Sequence, residues 1–172
     1  LHEIVETSDN MEEQLKVASL LLSQNANVDA QEKKDGKTSL HLAVEEGSMD
    51  LALLLIRNGA AVNLGDSNER TPLFAAAGGN RTDMVAMLVR DGGADVSKAN
   101  KNGQTPLYSA ALNGNMDVAA FLITEGKADV NQRENNGRTP LGIAAREGHV
   151  DVAALLVKEG TDVNLGKVDG FT

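Results

Sequence analysis

Apolar residues recur along this chain in two alternating kinds of short block, separated by polar punctuation at near-constant intervals. The first kind is small: Leu42-Ala43-Val44, Ala75-Ala76-Ala77, Ser109-Ala110-Ala111 and Ile143-Ala144-Ala145. The second is bulkier, with ridges Leu51/Leu54/Leu55, Met84/Met87/Leu88, Val118/Phe121/Leu122 and Val152/Leu155/Leu156. Spacings of this kind place each ridge on one face of a helix. Thr38, Thr71, Thr105 and Thr139 precede the small blocks, the last three followed by proline. A threonine hydroxyl can accept from an orphan amide, and proline is tolerated at the first helical position. Gly47, Asn80, Gly114 and Gly148 follow the small blocks, and Gly59, Gly92, Gly126 and Gly160 follow the ridges. Glycine and asparagine accept a left-handed helix terminus. Asp50, Asp83, Asp117 and Asp151 open the second helix, where a carboxylate complements the helix dipole. The pattern therefore predicts helix, turn, helix, and then a hairpin-like polar turn behind a Val-Asn or Val-Ser step.

This unit repeats. Lys37-Thr38-Ser39-Leu40, Arg70-Thr71-Pro72-Leu73, Gln104-Thr105-Pro106-Leu107 and Arg138-Thr139-Pro140-Leu141 stand in register, and the threonines at 38, 71, 105, 139 and 172 are 33, 34, 34 and 33 residues apart. Val28, Val62, Val96, Val130 and Val163 give a second, agreeing frame. Such a period indicates a stack of identical supersecondary units. The sequence resembles the ankyrin-repeat family, whose motif runs roughly Asp-x-x-Gly-x-Thr-Pro-Leu-His-x-Ala-Ala-x-x-Gly-His, a second helix, then Gly-Ala-Asp-Val-Asn. The resemblance covers nearly the whole chain. It implies an all-α solenoid of stacked helix-turn-helix units with β-hairpin-like fingers, and a concave face formed by the fingers and first helices. One domain, 1–172, is expected, with a divergent first repeat at 1–34, full repeats at 35–67, 68–101, 102–135 and 136–168, and the start of another at 169–172.

Several positions depart from the motif. Glu69 stands where the finger glycine belongs, so that turn is expected to be altered. Phe74, Tyr108 and Gly142 replace the histidine that His41 retains, which removes any hydrogen bond between repeats from that position. Repeats two and three carry an extra residue near Gly92-Gly93 and Gly126-Lys127, placed in the turn after the second helix, where insertions cost little. Leu1-His2-Glu3-Ile4-Val5-Glu6 echoes Leu40-His41-Leu42-Ala43-Val44-Glu45. The chain is thus read as beginning inside a first helix, with about five extra residues around Thr7–Gln14 forming a polar, acidic connector. The array is expected to continue on both sides, because neither end carries the polar outer face of a capping repeat.

Composition narrows the class. Of 172 residues, 41% are hydrophobic, yet the aromatics are Phe 3, Tyr 1 and Trp 0, so the core must be thin layers of Ala, Leu, Val, Ile and Met. No apolar run is long enough for a membrane span and no basic-then-apolar leader is visible, so membrane insertion is not expected and the reading is intracellular, cytoplasmic with the nucleus as the alternative. Cys 0 excludes disulfides and thiolate metal sites. A net charge of -9 opposes binding to phosphate backbones, so nucleic acid is not an expected partner.

Catalytic chemistry finds no footing. His2/Glu6 and His41/Glu45 have a metal-compatible spacing, but zinc needs three or four converging ligands, and His41 and His149 are motif positions. Gly78-Gly79 and Gly92-Gly93 lack the pattern of a phosphate loop, and no nucleophile elbow occurs. No enzyme, metal or cofactor is expected.

What remains are positions the repeat leaves free, at the finger tips and the ends of the first helices: Glu45, Glu46, Ser67, Asn68, Arg70, Gly78, Gly79, Lys101, Asn102, Gln104, Leu112, Asn113, Asn135, Asn136, Arg138, Arg146 and Glu147. In proteins resembling this one, that stripe commonly holds a partner protein or peptide. Arg70, Lys101, Arg138 and Arg146 make part of it basic within an acidic molecule, which points to a partner with acidic residues and a monomeric array. The segment from Val28 through Asp35-Gly36-Lys37-Thr38 to Glu45 also resembles a repeat of the NF-κB inhibitors and precursors, which implies masking of a transcription factor as one alternative; a structural spacer in a long array is another. Asn63, Asn131 and Asn164 resemble asparagines hydroxylated in the family, with Leu55 and Leu156 upstream of the first and third.

Overall fold

Thr38, Thr71, Thr105 and Thr139 each hold an extended backbone and accept, through the side chain, the amide of the residue three positions on. That capping bond starts every first helix. In the computed structural model, which describes residues 11–165, the described residues form nine helices and no strands. They are α1 (Met11–Ser23), α2 (Ser39–Glu46), α3 (Met49–Arg57), α4 (Pro72–Gly78), α5 (Thr82–Arg90), α6 (Pro106–Asn113), α7 (Met116–Thr124), α8 (Pro140–Glu147) and α9 (Val150–Lys158).

The helices form two rows. First helices α2, α4, α6 and α8 pack on one another through small residues: Ala43, Ala76, Ala77, Ala110, Ala111 and Ala144 are fully buried. In the second row, α1 packs on α3, α5 on α7 and α7 on α9, through Leu51, Leu55, Val85, Leu88, Val118, Leu122, Val152 and Leu156. Alanine lets the helices of the first row approach closely. The expected ridges are buried as read, with Leu54, Phe121 and Leu155 only partly covered.

Repeats are also joined by hydrogen bonds, and one set was not visible in the sequence. In α5, α7 and α9 the residue opening the second helix makes no capping bond with its side chain. It reaches back instead to carbonyls at the end of the preceding first helix: Arg81 to Glu45, Asn115 Nδ2 to Ala77 at 2.7 Å and Gly78 at 3.0 Å, and His149 Nε2 to Leu112 at 3.0 Å. These are carbonyls that a helix end leaves orphaned. A second set joins the loops: Asp29, Asn63 and Asn131 accept the amides of Ala61, Asp95 and Asp162 at 2.8–2.9 Å. In the second row Arg90 pairs with Glu125 and lies 5.2 Å from the centre of the Phe121 ring.

Three expectations are corrected. Met11–Gln14 is helix rather than connector: acidic Glu12 and Glu13 sit in the first turn, Lys16 pairs with Glu12 at 2.7 Å, and Gln14 is buried. Thr7–Asn10, the His2/Glu6 pair, the echo at Leu1–Glu6 and residues 169–172 lie outside the described residues. The turn at Glu69 is not altered: Glu69 adopts φ 61, like Gly36, Gly103 and Gly137, and its amide donates to Asp66 at 2.8 Å as theirs do to the finger base. The left-handed terminator after α5 and α7 is Gly93 and Lys127, not Gly92 and Gly126. Gly92 and Gly126 are required by crowding, since a Cβ there would stand 2.8 Å and 2.7 Å from the carbonyl oxygens of Leu88 and Leu122 and against Val62 or Val96. The fingers are turns, each closed by an amide-to-carbonyl bond such as Asp66 to Arg70 at 2.9 Å, and they contain no strand.

Candidate partner-binding face

The fingers stand in a row because each is bonded to the next. Ser67 donates to Asp35, Lys101 to Asn68 and Asn135 to Asn102, at 2.8–3.0 Å. The finger tips and exposed ends of the first helices therefore share one face. Glu45, Glu46, Ser67, Asn68, Gly79, Lys101, Asn102, Asn113, Asn135, Asn136, Arg146 and Glu147 are exposed; Arg70, Gly78, Gln104, Leu112 and Arg138 are half-buried. Among the described residues, the side chains of Glu46, Asn68, Lys101 and Asn102 make no hydrogen bond or ion pair.

Other predicted positions are already engaged. Asn135 Nδ2 donates to the Lys101 carbonyl at 2.9 Å, Asn113 to its own helix at Ser109, and Asn136 to Glu134 at 3.1 Å. Glu45 takes Lys37 at 2.8 Å. The expected run of free cations is therefore shorter than the sequence suggests. Arg70 grips the buried Asp66 carboxylate through Nε at 2.8 Å and a terminal nitrogen at 2.7 Å, and Arg146 pairs with Glu147 at 2.5 Å. Asp66 also accepts the amides of Asn68 and Arg70; burial works against its charged form, but these bonds hold its carboxyl below the usual range. At the third finger the acid–base pair becomes a pair of amides: Asn100 Nδ2 donates to Gln104 Oε1 at 3.0 Å, and Asn100 Oδ1 still takes two backbone amides. Arg138 has no carboxylate within ion-pair distance among the described residues.

Between the first two full repeats the face opens into a slot of about 170 Å³, lined by His41, Glu45, Asp66, Arg70, Phe74, Ala75, Gly78 and Ser109. Its rear wall is the His41 ring, which accepts the Thr38 amide at Nδ1 (3.2 Å) and donates through Nε2 to the Arg70 carbonyl at 2.9 Å. Burial disfavours the charged ring and lowers its pKa. Phe74 and Gly142 make no such side-chain bond among the described residues, but the expected loss does not hold at Tyr108, whose hydroxyl is hydrogen-bonded with the Arg138 side chain of the next repeat. No group of three or more potential ligands that could hold a metal ion occurs among the described residues. No described helix is long and apolar enough to cross a membrane.

The stacked units and their bonding register agree with a family match to Ankyrin repeats (3 copies) over residues 1–100 and 92–167. The chain belongs to the ankyrin-repeat family. Ankyrin repeats are in general protein–protein interaction modules. This ankyrin chain is 41% identical over 76 residues to the nuclear factor NF-kappa-B p105 subunit of Mus musculus, spanning 44% of this chain and 8% of that protein. It is 43% identical over 68 residues to the neurogenic locus Notch protein of Drosophila melanogaster, spanning 40% of this chain and 2% of that protein. It is 49% identical over 45 residues to the ankyrin repeat and KH domain-containing protein mask-1 of Caenorhabditis elegans, covering 26% of this chain. The match thus spans less than a tenth of each relative's length.

The asparagines singled out for hydroxylation differ in setting. Asn63 and Asn131 are half-buried with Oδ1 engaged by the next repeat, whereas Asn164 is exposed.

Proposed function

We propose that this ankyrin array holds a segment of a partner protein along the finger-side face. The observation carrying the reading is a division of labour. Stacking uses the polar groups of Arg81, Asn115, His149, Asn63 and Asn131, while Glu46, Asn68, Lys101 and Asn102 stand exposed on one face with their side chains unspent. Folding gives no reason for such residues, and recognition does. The chemistry of the face changes along it: acidic with a paired arginine at the first junction, amide-rich at the second, cationic at the third. A partner segment with apolar or basic residues at one end and acidic residues at the other matches that order.

The test is capture from lysate on the immobilised array, beside a variant carrying Lys101, Arg138 and Arg146 changed to Glu, and a control with Arg57 and Lys158 changed to Glu on the second-helix row. The reading expects one protein to be retained by the array and the control but lost by the first variant. Equal retention by all three overturns it. A second reading, favoured by the 41% identity with the p105 segment, is that the partner is a transcription factor; the identity of the retained protein decides it.

A further inference from the structure

The register that builds the slot at the first junction can be followed to the junction between the third and fourth full repeats. There Tyr108 takes the place of His41, Leu112 of Glu45, and Glu134 of Asp66. Arg138 takes the place of Arg70, Gly142 of Phe74, and Arg146 of Gly78. Three of the exchanges make the third junction wider or more cationic, while Tyr108 keeps a ring, Arg138 an arginine and Glu134 a carboxylate. The acidic wall becomes leucine, a glycine becomes arginine, and the aromatic floor loses its side chain altogether.

Glu134 does not grip the arginine beside it as Asp66 grips Arg70. It is buried, and its oxygens accept the Arg138 amide at 3.2 Å and Asn136 Nδ2 at 3.1 Å, with no ion pair to the guanidinium. Arg138 Nε is buried and has no hydrogen-bond partner, whereas Arg70 Nε is spent on Asp66. A buried guanidinium N–H left unmade is costly unless something supplies an acceptor. Tyr108 is buried, and burial with Glu134 pushes its phenol up; its hydroxyl is hydrogen-bonded with the Arg138 side chain, which acts the other way together with Arg146. Gly142 is exposed, and a Cβ built there would meet only the Thr139 hydroxyl, at 3.5 Å. The absent side chain is therefore not demanded by packing. Arg146 pairs with Glu147, but both ends are well exposed, and an ion pair in solvent exchanges its partner readily.

We propose that Arg138 and Arg146, over the gap at Gly142 and beside the Tyr108 hydroxyl, form a seat for a single carboxylate: the aspartate or glutamate side chain of a partner segment. The inference rests on the finger-side face being the binding face and names the chemistry of one of its positions. A planar guanidinium with no carboxylate partner, beside a second arginine, suits a carboxylate.

The experiment is an NMR titration that follows the arginine Nε–Hε resonances of the whole chain. N-acetyl-glutamate N-methylamide is the probe, N-acetyl-glutamine N-methylamide the neutral control, and N-acetylglycine the terminal carboxylate. The expected result is a saturable shift of Arg138 Nε–Hε with the glutamate probe, absent with glutamine and absent at Arg70. Gly142→Tyr restores the ring found at position 108 and weakens the seat by about tenfold, and Glu147→Gln tightens it by removing the competing carboxylate. Both variants change exposed positions, so a retained melting transition shows that folding is not the cause. An unmoved Arg138, or equal shifts at Arg70 and Arg138, overturns the seat. Stronger binding of N-acetylglycine overturns the side-chain source and assigns the carboxylate to a chain terminus. The probe needs no natural partner, so a failed titration leaves the face reading standing, and equal protein capture by the array and its charge-reversed variants with an intact titration removes the face reading alone.

Discussion

Arg70 and Asp66 close one finger with two contacts, at 2.8 Å and 2.7 Å, from a guanidinium to a carboxylate that is almost fully buried. The next finger does the same with Asn100 and Gln104, and no net charge. The two arrangements are alternative solutions to one problem, so they should be exchangeable as pairs but not singly. Arg70→Gln alone leaves the Asp66 carboxylate without its cation and should cost about 1–3 kcal/mol. Adding Asp66→Asn should recover most of that loss. Urea unfolding of the two single variants and the double variant measures the coupling, and additive effects contradict it.

Glycine at 142 is a poor choice for a helix. It lies inside α8, is exposed, and meets nothing that an added methyl group would disturb. Gly142→Ala should stabilise the chain by about 0.5–1 kcal/mol. A loss of stability on chemical denaturation would mean that the gap serves packing.

Glu69 sits at φ 61, where three other fingers use glycine. The left-handed conformation costs a side-chain-bearing residue about 1–2 kcal/mol, part of which glycine returns through its freer unfolded state. Glu69→Gly should therefore raise stability by about 0.5–1 kcal/mol, read from the shift of the denaturation midpoint at constant slope.

His41 makes the array sensitive to mild acid. Burial, the largest influence, lowers its pKa below the ordinary 6.5, although the Arg70 carbonyl, Asp66 and Glu45 act the other way. The unfolded chain takes up a proton once the pH falls to about 6.5, while the folded ring resists it. Its contribution is thus intact above pH 6.5 and lost as the pH falls through that value toward the lowered one. The melting temperature should fall between pH 7 and pH 5, and His41→Gln, which keeps a side chain able to accept the Thr38 amide, should flatten the fall. The lowered carboxyls of Asp35, Asp66 and Asp95 act in a separate window, from their ordinary 3.8 downward. An unchanged slope in His41→Gln removes His41 as the cause.

Much of this fold was legible because its signals are local and repeated. The threonine caps, the small first-helix blocks and the ridge spacings stand within a few residues of the structures they produce. What the sequence hid depends on neighbours. Arg81, Asn115 and His149 perform one task with three chemistries, and only the preceding helix end reveals it. Gly92 reads as a terminator until Leu88 and Val62 are seen against it. Glu69 reads as a broken turn, yet its finger is held by Asp66 on one side and Lys101 bonded to Asn68 on the other. Of the stripe, the positions were readable but not their availability: Arg70 and Arg138 occupy the same register, and only Arg70 is paired with a carboxylate.

The central claim is that partners meet the finger side of the stack. A photo-crosslinking residue placed at Asn102, exposed on a finger, and in a second protein at Asp117, exposed on α7 in the other row, tests it in living cells. The account predicts a discrete adduct from position 102 that Arg138→Glu diminishes, and none from position 117. Adducts from position 117 alone, or equally from both, would contradict it.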